Sequence, residues 1–178
     1  MTDRESELYY KICEFQLDDP AAIYKLSTKL AWEYHWNGIY TLRAIHEYKK
    51  FVFLATIAER MVSPSMIVDR VWHYHLLYTH SYWHDFCGKV LNKPLHHYPG
   101  GGGADELVKD RQRYQATLEL YQAYFGNPPV DIWDSAPLQS NHLAYRNRYL
   151  LIPNPLYWLN KNWLRSIAKI IHSKTSPQ

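Results

Sequence analysis

The residues of this chain that can do chemistry are concentrated in one stretch, where six of its ten histidines fall between His73 and His97. Neutral imidazole is the commonest metal ligand in proteins, and it titrates near neutral pH without being perturbed. Asp69 and Cys87 add a carboxylate and a thiol, which are also ligand types. The chain has no Cys-x-x-Cys and no His-Glu-x-x-His motif. The pattern therefore predicts a site more firmly than it predicts a reaction.

Helical spacing groups some of these side chains and separates others. Asp69 and His73 are four residues apart, so they share one face of a helix. There the carboxylate would either bind the same metal ion as the imidazole or orient that imidazole. On a regular helix His75 would point about 160° away from His73. We therefore expect His75 to bind a different group or to fix the helix.

A longer helix would extend the same face. If it continued unbroken, His80 and His84 would lie within about 60° of Asp69, and Cys87 would fall beside them. Thr79 is a possible cap for a separate helix, and Gly88 would suit a helix end. The sequence leaves the continuity of the helix open.

Together these residues predict a divalent transition-metal site. His73 would be its centre, Asp69 a ligand or orienter, and His97 or His96 would fold back from the following loop as a further ligand. Zinc or iron in the ferrous state suits such a mixed imidazole and carboxylate set. The candidate ligands are Asp69, His73, His75, His96 and His97. Further candidate residues of the site are Trp72, His80, Tyr82 and Cys87.

Other interpretations of the same stretch stay open. Its histidines, carboxylate and tyrosine hydroxyls would also suit a structural hydrogen-bond network, or their density would be a coincidence. Cys87 follows His84 by three residues and would suit a nucleophilic pair, although nothing indicates an oxyanion hole. The alternative function is a non-enzymatic protein-interaction module, in which the His/Trp/Tyr cluster is structural and the basic tail binds a partner or a membrane.

The hydrophobic pattern of the chain is helical. Apolar residues recur every three or four positions in four segments, 5–15, 20–35, 39–61 and 104–125. No period-two alternation lasts long enough for a sheet. We therefore expect an all-α fold, a helical bundle of about five to seven helices with a C-terminal amphipathic helix over 156–172.

Two helix starts are indicated by a capping side chain followed by proline. Asp18-Asp19-Pro20 would begin the second helix, which would bury Ile23, and Ser63-Pro64 would begin the histidine helix. The helix between them would bury Leu42. Gly100–Gly103 would form a flexible connector, because only glycine tolerates such backbone freedom.

One motif in the histidine stretch is more specific than its composition. It reads Asp69-Arg-Val-Trp-His-Tyr-His-Leu, with Leu95-His-His-Tyr-Pro downstream. With the later run that ends at Trp133, it resembles the glycine-rich domain-containing protein-like family over about 20–133. The family pattern falls here on Asp69, Trp72, His73, His75, Tyr82, Cys87 and His97.

This resemblance implies a specific role for the segment but no reaction. Some plant members of that family carry appended glycine-rich or RNA-binding regions and are linked to development and stress. This chain has four consecutive glycines and no such region. The resemblance therefore does not extend nucleic-acid binding to this chain.

Length and composition limit the class of protein. The chain has 178 residues, of which 47% are hydrophobic and 21% charged, as in a single soluble domain with a full core. Its two cysteines cannot make a disulfide framework, and the polar segment 1–7 is not typical of a signal peptide. No apolar run reaches the length of about 18 residues that spans a membrane. We therefore expect a cytoplasmic protein with free thiols.

The net charge of +3 is unevenly distributed. Residues 135–178 contain six basic residues and no acidic one, which leaves a net charge of −3 for the rest of the chain. We therefore divide the chain into a helical domain, 1–134, and a basic C-terminal extension, 135–178. The helix over 156–172 would present its basic face to solvent, a protein partner or an anionic membrane. Six scattered cations are too few to indicate nucleic-acid binding.

Overall fold

The computed structural model of the chain describes residues 1–98 and 102–133. Within these residues it is all-helical, with six helices and no strand, which confirms the predicted fold class. The helices are α1 (Asp3–Glu14), α2 (Leu26–Tyr34), α3 (Gly38–Ile57), α4 (Met66–Leu77), a π-helix (His80–Leu91) and α5 (Ala104–Phe125). The extension 135–178 and the helix predicted over 156–172 lie outside the described residues.

None of the described helices combines the length and the apolar character that a membrane crossing requires.

The second helix begins later than its start signal predicts. Asp19 accepts a hydrogen bond from the Ala21 N–H (2.8 Å), so its side chain stabilises a turn instead of a helix. Asp18 accepts from both the N–H and the hydroxyl of Ser27 (2.8 and 2.6 Å). It thereby caps the first turn of α2 from outside the helix, nine residues earlier in the chain. The predicted start at Asp18-Asp19-Pro20 is therefore wrong. Ile23 lies in the intervening turn and is 91% exposed, so its assignment to the core is wrong as well.

α3 lies at the centre of the fold and packs against α1, α2, α4 and α5. Four consecutive residues in its second half, Phe51 to Leu54, are fully buried, and consecutive residues of a helix point in all directions. This half is therefore enclosed on every side. The first half is not, and Leu42 is 62% exposed there, against prediction, because the buried face runs through Thr41, Ala44 and Tyr48.

α4 begins two residues after its predicted start. Ser65 is the N-cap, and its hydroxyl accepts from the Val68 N–H (3.2 Å). Ser63 instead bonds to α5: its N–H donates to the Thr117 hydroxyl (3.1 Å), which donates to the Ser63 carbonyl (2.7 Å). Ser63-Pro64 therefore lies in the connection between α3 and α4, and its hydrogen bonds attach this connection to α5.

The histidine stretch is not one straight helix. α4 ends at Tyr78, whose backbone leaves the helical region (φ −90°, ψ 64°), and the chain then forms the π-helix. The buried residues of that helix recur every four or five positions, as an i→i+5 hydrogen-bond pattern requires: Tyr82, Phe86, Cys87 and Leu91. Gly88 is not its end. The helix ends before Asn92, which adopts the left-handed conformation (φ 53°).

A buried carboxylate joins α3 to α5 and to the segment that follows α5. Glu47 is 5% exposed and accepts from Tyr121 (2.8 Å), Trp133 Nε1 (2.7 Å) and Lys50 Nζ (2.9 Å). Lys50 also donates to the Tyr121 hydroxyl (2.8 Å), so the buried charge is paired and its donors are fixed in place. Removal of one partner from a buried pair is costly, because the other charge remains buried without compensation.

Glu47→Ala should therefore lower the free energy of unfolding by about 3 kcal/mol. Urea denaturation followed by circular dichroism measures the change. Glu7→Ala is the matched control, because Glu7 is 66% exposed and pairs with Lys11 on the surface of α1. Its effect should stay within about 0.5 kcal/mol. Equal effects of the two substitutions would contradict this role of Glu47.

Candidate metal centre

Three side chains with ligand atoms converge at the exposed edge of α4. His97 Nε2 lies 2.7 Å from Asp69 Oδ1 and 3.1 Å from His73 Nε2. His73 Nε2 lies 3.4 Å from Asp69 Oδ2. Two imidazole nitrogens that face each other at this distance repel unless a proton or a cation lies between them. A hydrogen bond between two neutral rings meets this requirement, and so does a bound cation.

The first two residues of the cluster are placed by α4 alone. Asp69 and His73 are one turn apart on the same face, as their spacing predicts, and Ser65 fixes the start of that helix. The carboxylate also lies in the first turn of the helix, where the N-terminal end of the macrodipole stabilises a negative charge.

His97 reaches the cluster because two aromatic residues hold its loop. Trp72 Nε1 donates to the Tyr82 hydroxyl (2.9 Å), and that hydroxyl donates to the carbonyl of Leu95. The Leu95 carbonyl is thereby tied to both α4 and the π-helix. The His97 ring then lies edge-on to the Trp72 indole, with ring centroids 4.6 Å apart. Trp72 and Tyr82 are therefore positioning residues of the cluster.

The cluster is open to solvent on one side. The side chain of His97 is 19% exposed and that of Asp69 is 27% exposed, whereas that of His73 is 54% exposed. With both imidazoles neutral, as metal binding requires, the Asp69 carboxylate would be the only charge among the three side chains. Three protein ligands with one open side leave room for a water molecule or a substrate on a bound ion.

His75 does not join the cluster, although it was a candidate ligand. Its ring is fully buried, with Nδ1 2.9 Å from the Tyr48 hydroxyl and with the rings of Phe15, directly after α1, and Phe86 of the π-helix packed against it. Nε2 has no hydrogen-bond partner among the described residues. Burial, with a contribution from the charge of Lys49, lowers the pKa of His75 to about 4. His75 is therefore a neutral core residue, on the face of α4 opposite to His73.

His96 also lies apart from its neighbour. Its exposed ring packs between Trp83 and Tyr98, with centroid distances of 5.3 and 5.9 Å, while His97 turns toward Trp72. Only one of the two loop histidines thus contributes to the cluster.

His80 and His84 form a second group instead of extending the first. The break at Tyr78 separates them from the face of Asp69, and Asp85 lies between their rings. Sequence reasoning missed Asp85, because the residue is five positions from His80 and would lie on another face of a regular helix.

Cys87 does not suit the nucleophilic role that its spacing from His84 allowed. The residue is 3% exposed, and burial raises the pKa of its thiol. A nucleophilic cysteine requires the opposite shift, toward the thiolate.

Comparison with known proteins assigns a family but no activity. A family model described as UCP032817-like matches residues 24–123, more than half of the chain, and that family is uncharacterised. The resemblance to the glycine-rich domain-containing protein-like family is therefore wrong. No curated protein and no solved structure matches the chain. The matched segment contains both histidine groups.

His75 makes a testable contribution to the pH dependence of stability. Its folded pKa of about 4 lies below the ordinary value of about 6.5, so the unfolded chain binds the proton more tightly. Stability should therefore fall as the pH drops below about 6.5 and level off below about 4. Between about pH 7.5 and 5 this residue should account for about 2 kcal/mol of lost unfolding free energy.

Urea denaturation across this pH range, with wild type and His75→Asn, measures the contribution. The amide of asparagine does not titrate, so the unfolding free energy of His75→Asn should depend less steeply on pH than that of wild type. In His75→Asn, His46 should still make the unfolding free energy fall as the pH drops, because burial lowers the pKa of that residue too. An unchanged slope in His75→Asn would show that His75 is not the group responsible.

Proposed function

This chain belongs to the UCP032817-like family, and we propose that it binds a divalent transition metal ion, zinc or ferrous iron, through Asp69, His73 and His97. The observation that supports this proposal is the convergence of a carboxylate oxygen and two imidazole nitrogens, all within 4.8 Å of one another. A bound cation would give each of the two facing imidazoles a role as a ligand beside the carboxylate.

The distances within the cluster suit a metal of this class. Zinc–nitrogen bonds of about 2.0–2.1 Å at tetrahedral angles separate neighbouring ligand atoms by about 3.3 Å. The two imidazole nitrogens lie 3.1 Å apart, His97 Nε2 lies 2.7 Å from Asp69 Oδ1, and His73 Nε2 lies 3.4 Å from the other carboxylate oxygen, Oδ2. The 2.7 Å contact would have to lengthen by about 0.6 Å and the 3.1 Å contact by about 0.2 Å to hold such an ion.

The ligand set favours a reactive ion over a purely structural one. Structural zinc sites are closed by four protein ligands, whereas catalytic sites keep three and leave one position open. Two histidines and one carboxylate are also the ligand set of non-haem ferrous iron that reacts with oxygen. The solvent-facing side of His73 is where water or substrate would enter. Hydrolysis would follow from zinc, and oxygen chemistry from ferrous iron.

Elemental analysis of the full chain, purified without a histidine tag and dialysed against Zn²⁺ or anaerobic Fe²⁺, tests the proposal. We expect His73→Ala and His97→Ala each to bind one equivalent of metal less than wild type. His96→Ala is the matched control, because its imidazole is adjacent in sequence but outside the cluster, and it should retain the metal. If the wild-type chain takes up neither metal and its melting temperature does not change, the proposal fails and the interaction module is favoured.

A second prediction concerns the loop that carries His97. Tyr82→Phe keeps the buried ring but removes the hydroxyl that bonds both Trp72 and the Leu95 carbonyl. Metal affinity should fall by about tenfold, because the ligand is no longer held in place. Competition with a chelator of known affinity measures the change.

Tyr78→Phe is the control for this substitution, since it removes a hydroxyl that bonds Lys29 instead of the loop. Its metal affinity should match that of wild type. Equal affinities of Tyr82→Phe and Tyr78→Phe would mean that the Tyr82 hydroxyl does not position the ligand.

A further inference from the structure

We propose that His80, His84 and Asp85 form a second binding site for a divalent ion of the zinc class, separate from the Asp69 cluster. Asp85 Oδ2 lies 3.2 Å from His80 Nδ1, and Asp85 Oδ1 lies 3.1 Å from His84 Nδ1. The two imidazole rings are tilted by 36° with their centroids 4.7 Å apart. One ligand atom from each residue lies within 4.8 Å of the others, a spread that one ion spans.

The π-helix is what brings the three residues together. On a regular α-helix, Asp85 would lie about 140° around the axis from His80. The wider turn of the π-helix brings residues five apart closer to the same side of the axis, and there the carboxylate reaches His80. Asp85 also follows His84 directly and contacts it. π-Helical turns are rare and frequently occur at functional sites, which is a second reason to assign a ligand here.

The site is more exposed than the first one. The side chains of His80 and His84 are 78% and 61% exposed, and that of Asp85 is 33% exposed. Water would complete the coordination of a bound ion. The two sites share no residue, so the second does not depend on the proposed function of the first.

Lys89 limits the affinity of this site. Its Nζ lies 2.7 Å from Asp85 Oδ1, one turn along the π-helix. The ammonium competes with a metal ion for the charge of the carboxylate. Because the lysine side chain is flexible and 64% exposed, it can withdraw into solvent when an ion binds.

Equilibrium dialysis of the full chain against buffered Zn²⁺, followed by elemental analysis, tests the second site. Wild type should bind two equivalents, of which His84→Ala loses one and His73→Ala loses the other. Asp85→Asn should weaken the second equivalent by at least about tenfold. Lys89→Met should tighten it by about threefold, because a competing cation is removed. His96→Ala is the control for surface histidines and should retain both equivalents.

The failures of the two sites are distinguishable. If the wild-type chain binds one equivalent that is lost in His84→Ala but not in His73→Ala, the second site stands and the first fails. The reverse pattern overturns the second site. Equal zinc affinity of Asp85→Asn and wild type also overturns it, because the imidazoles alone would then hold the ion. Circular dichroism of each variant confirms that lost binding is not lost folding.

Discussion

The Tyr82 hydroxyl joins three consecutive segments of the chain. It accepts from the indole of Trp72 on α4, belongs to the π-helix, and donates to the Leu95 carbonyl in the following loop. Both partners are polar groups that would lose a hydrogen bond without it, so the arrangement is fixed by the cost of leaving them unpaired. His97 meets Asp69 only because this loop is held there. The geometry of the cluster thus depends on a residue that contributes no ligand.

The two histidine groups have the same composition and different surroundings. Each combines two imidazoles with one aspartate. In the first, the carboxylate contacts imidazoles alone among the described residues, and an indole covers one ring. In the second, a lysine already neutralises the carboxylate. A metal ion therefore meets less competition at the first group, and its electrostatic interactions are stronger there because water is partly excluded.

Sequence patterns correctly predicted the features that depend on interactions between residues close together in the chain. The helix over 104–125 coincides with α5, and the pairing of Asp69 with His73 follows from their spacing of four residues. The contact with His97 depends on a loop that is held by side chains from two other helices, and no spacing rule contains that information. The choice between His96 and His97 was open for the same reason.

The π-helix and the enclosed core account for most of the remaining differences. A hydrophobic period of 3.6 residues cannot detect an i→i+5 segment. His80 and His84 were therefore placed on the face of Asp69 on the condition of one unbroken helix, and the contact of Asp85 with His80 was overlooked. His75 was considered as a ligand because imidazole is a common one. Its burial against Tyr48 results from the way α4 packs on α3, which is a tertiary effect.

The bond between Glu47 and Trp133 has a consequence for the boundaries of the folding unit. The segment shared with the family, 24–123, omits the indole that completes the shell of this carboxylate. It also omits α1, whose Ile12 is fully buried in the core. A fragment cut at the limits of the shared segment would expose apolar surface of α3 and leave a buried acid short of one donor. The shared segment alone therefore lacks part of the core and part of the buried hydrogen-bond network of this fold.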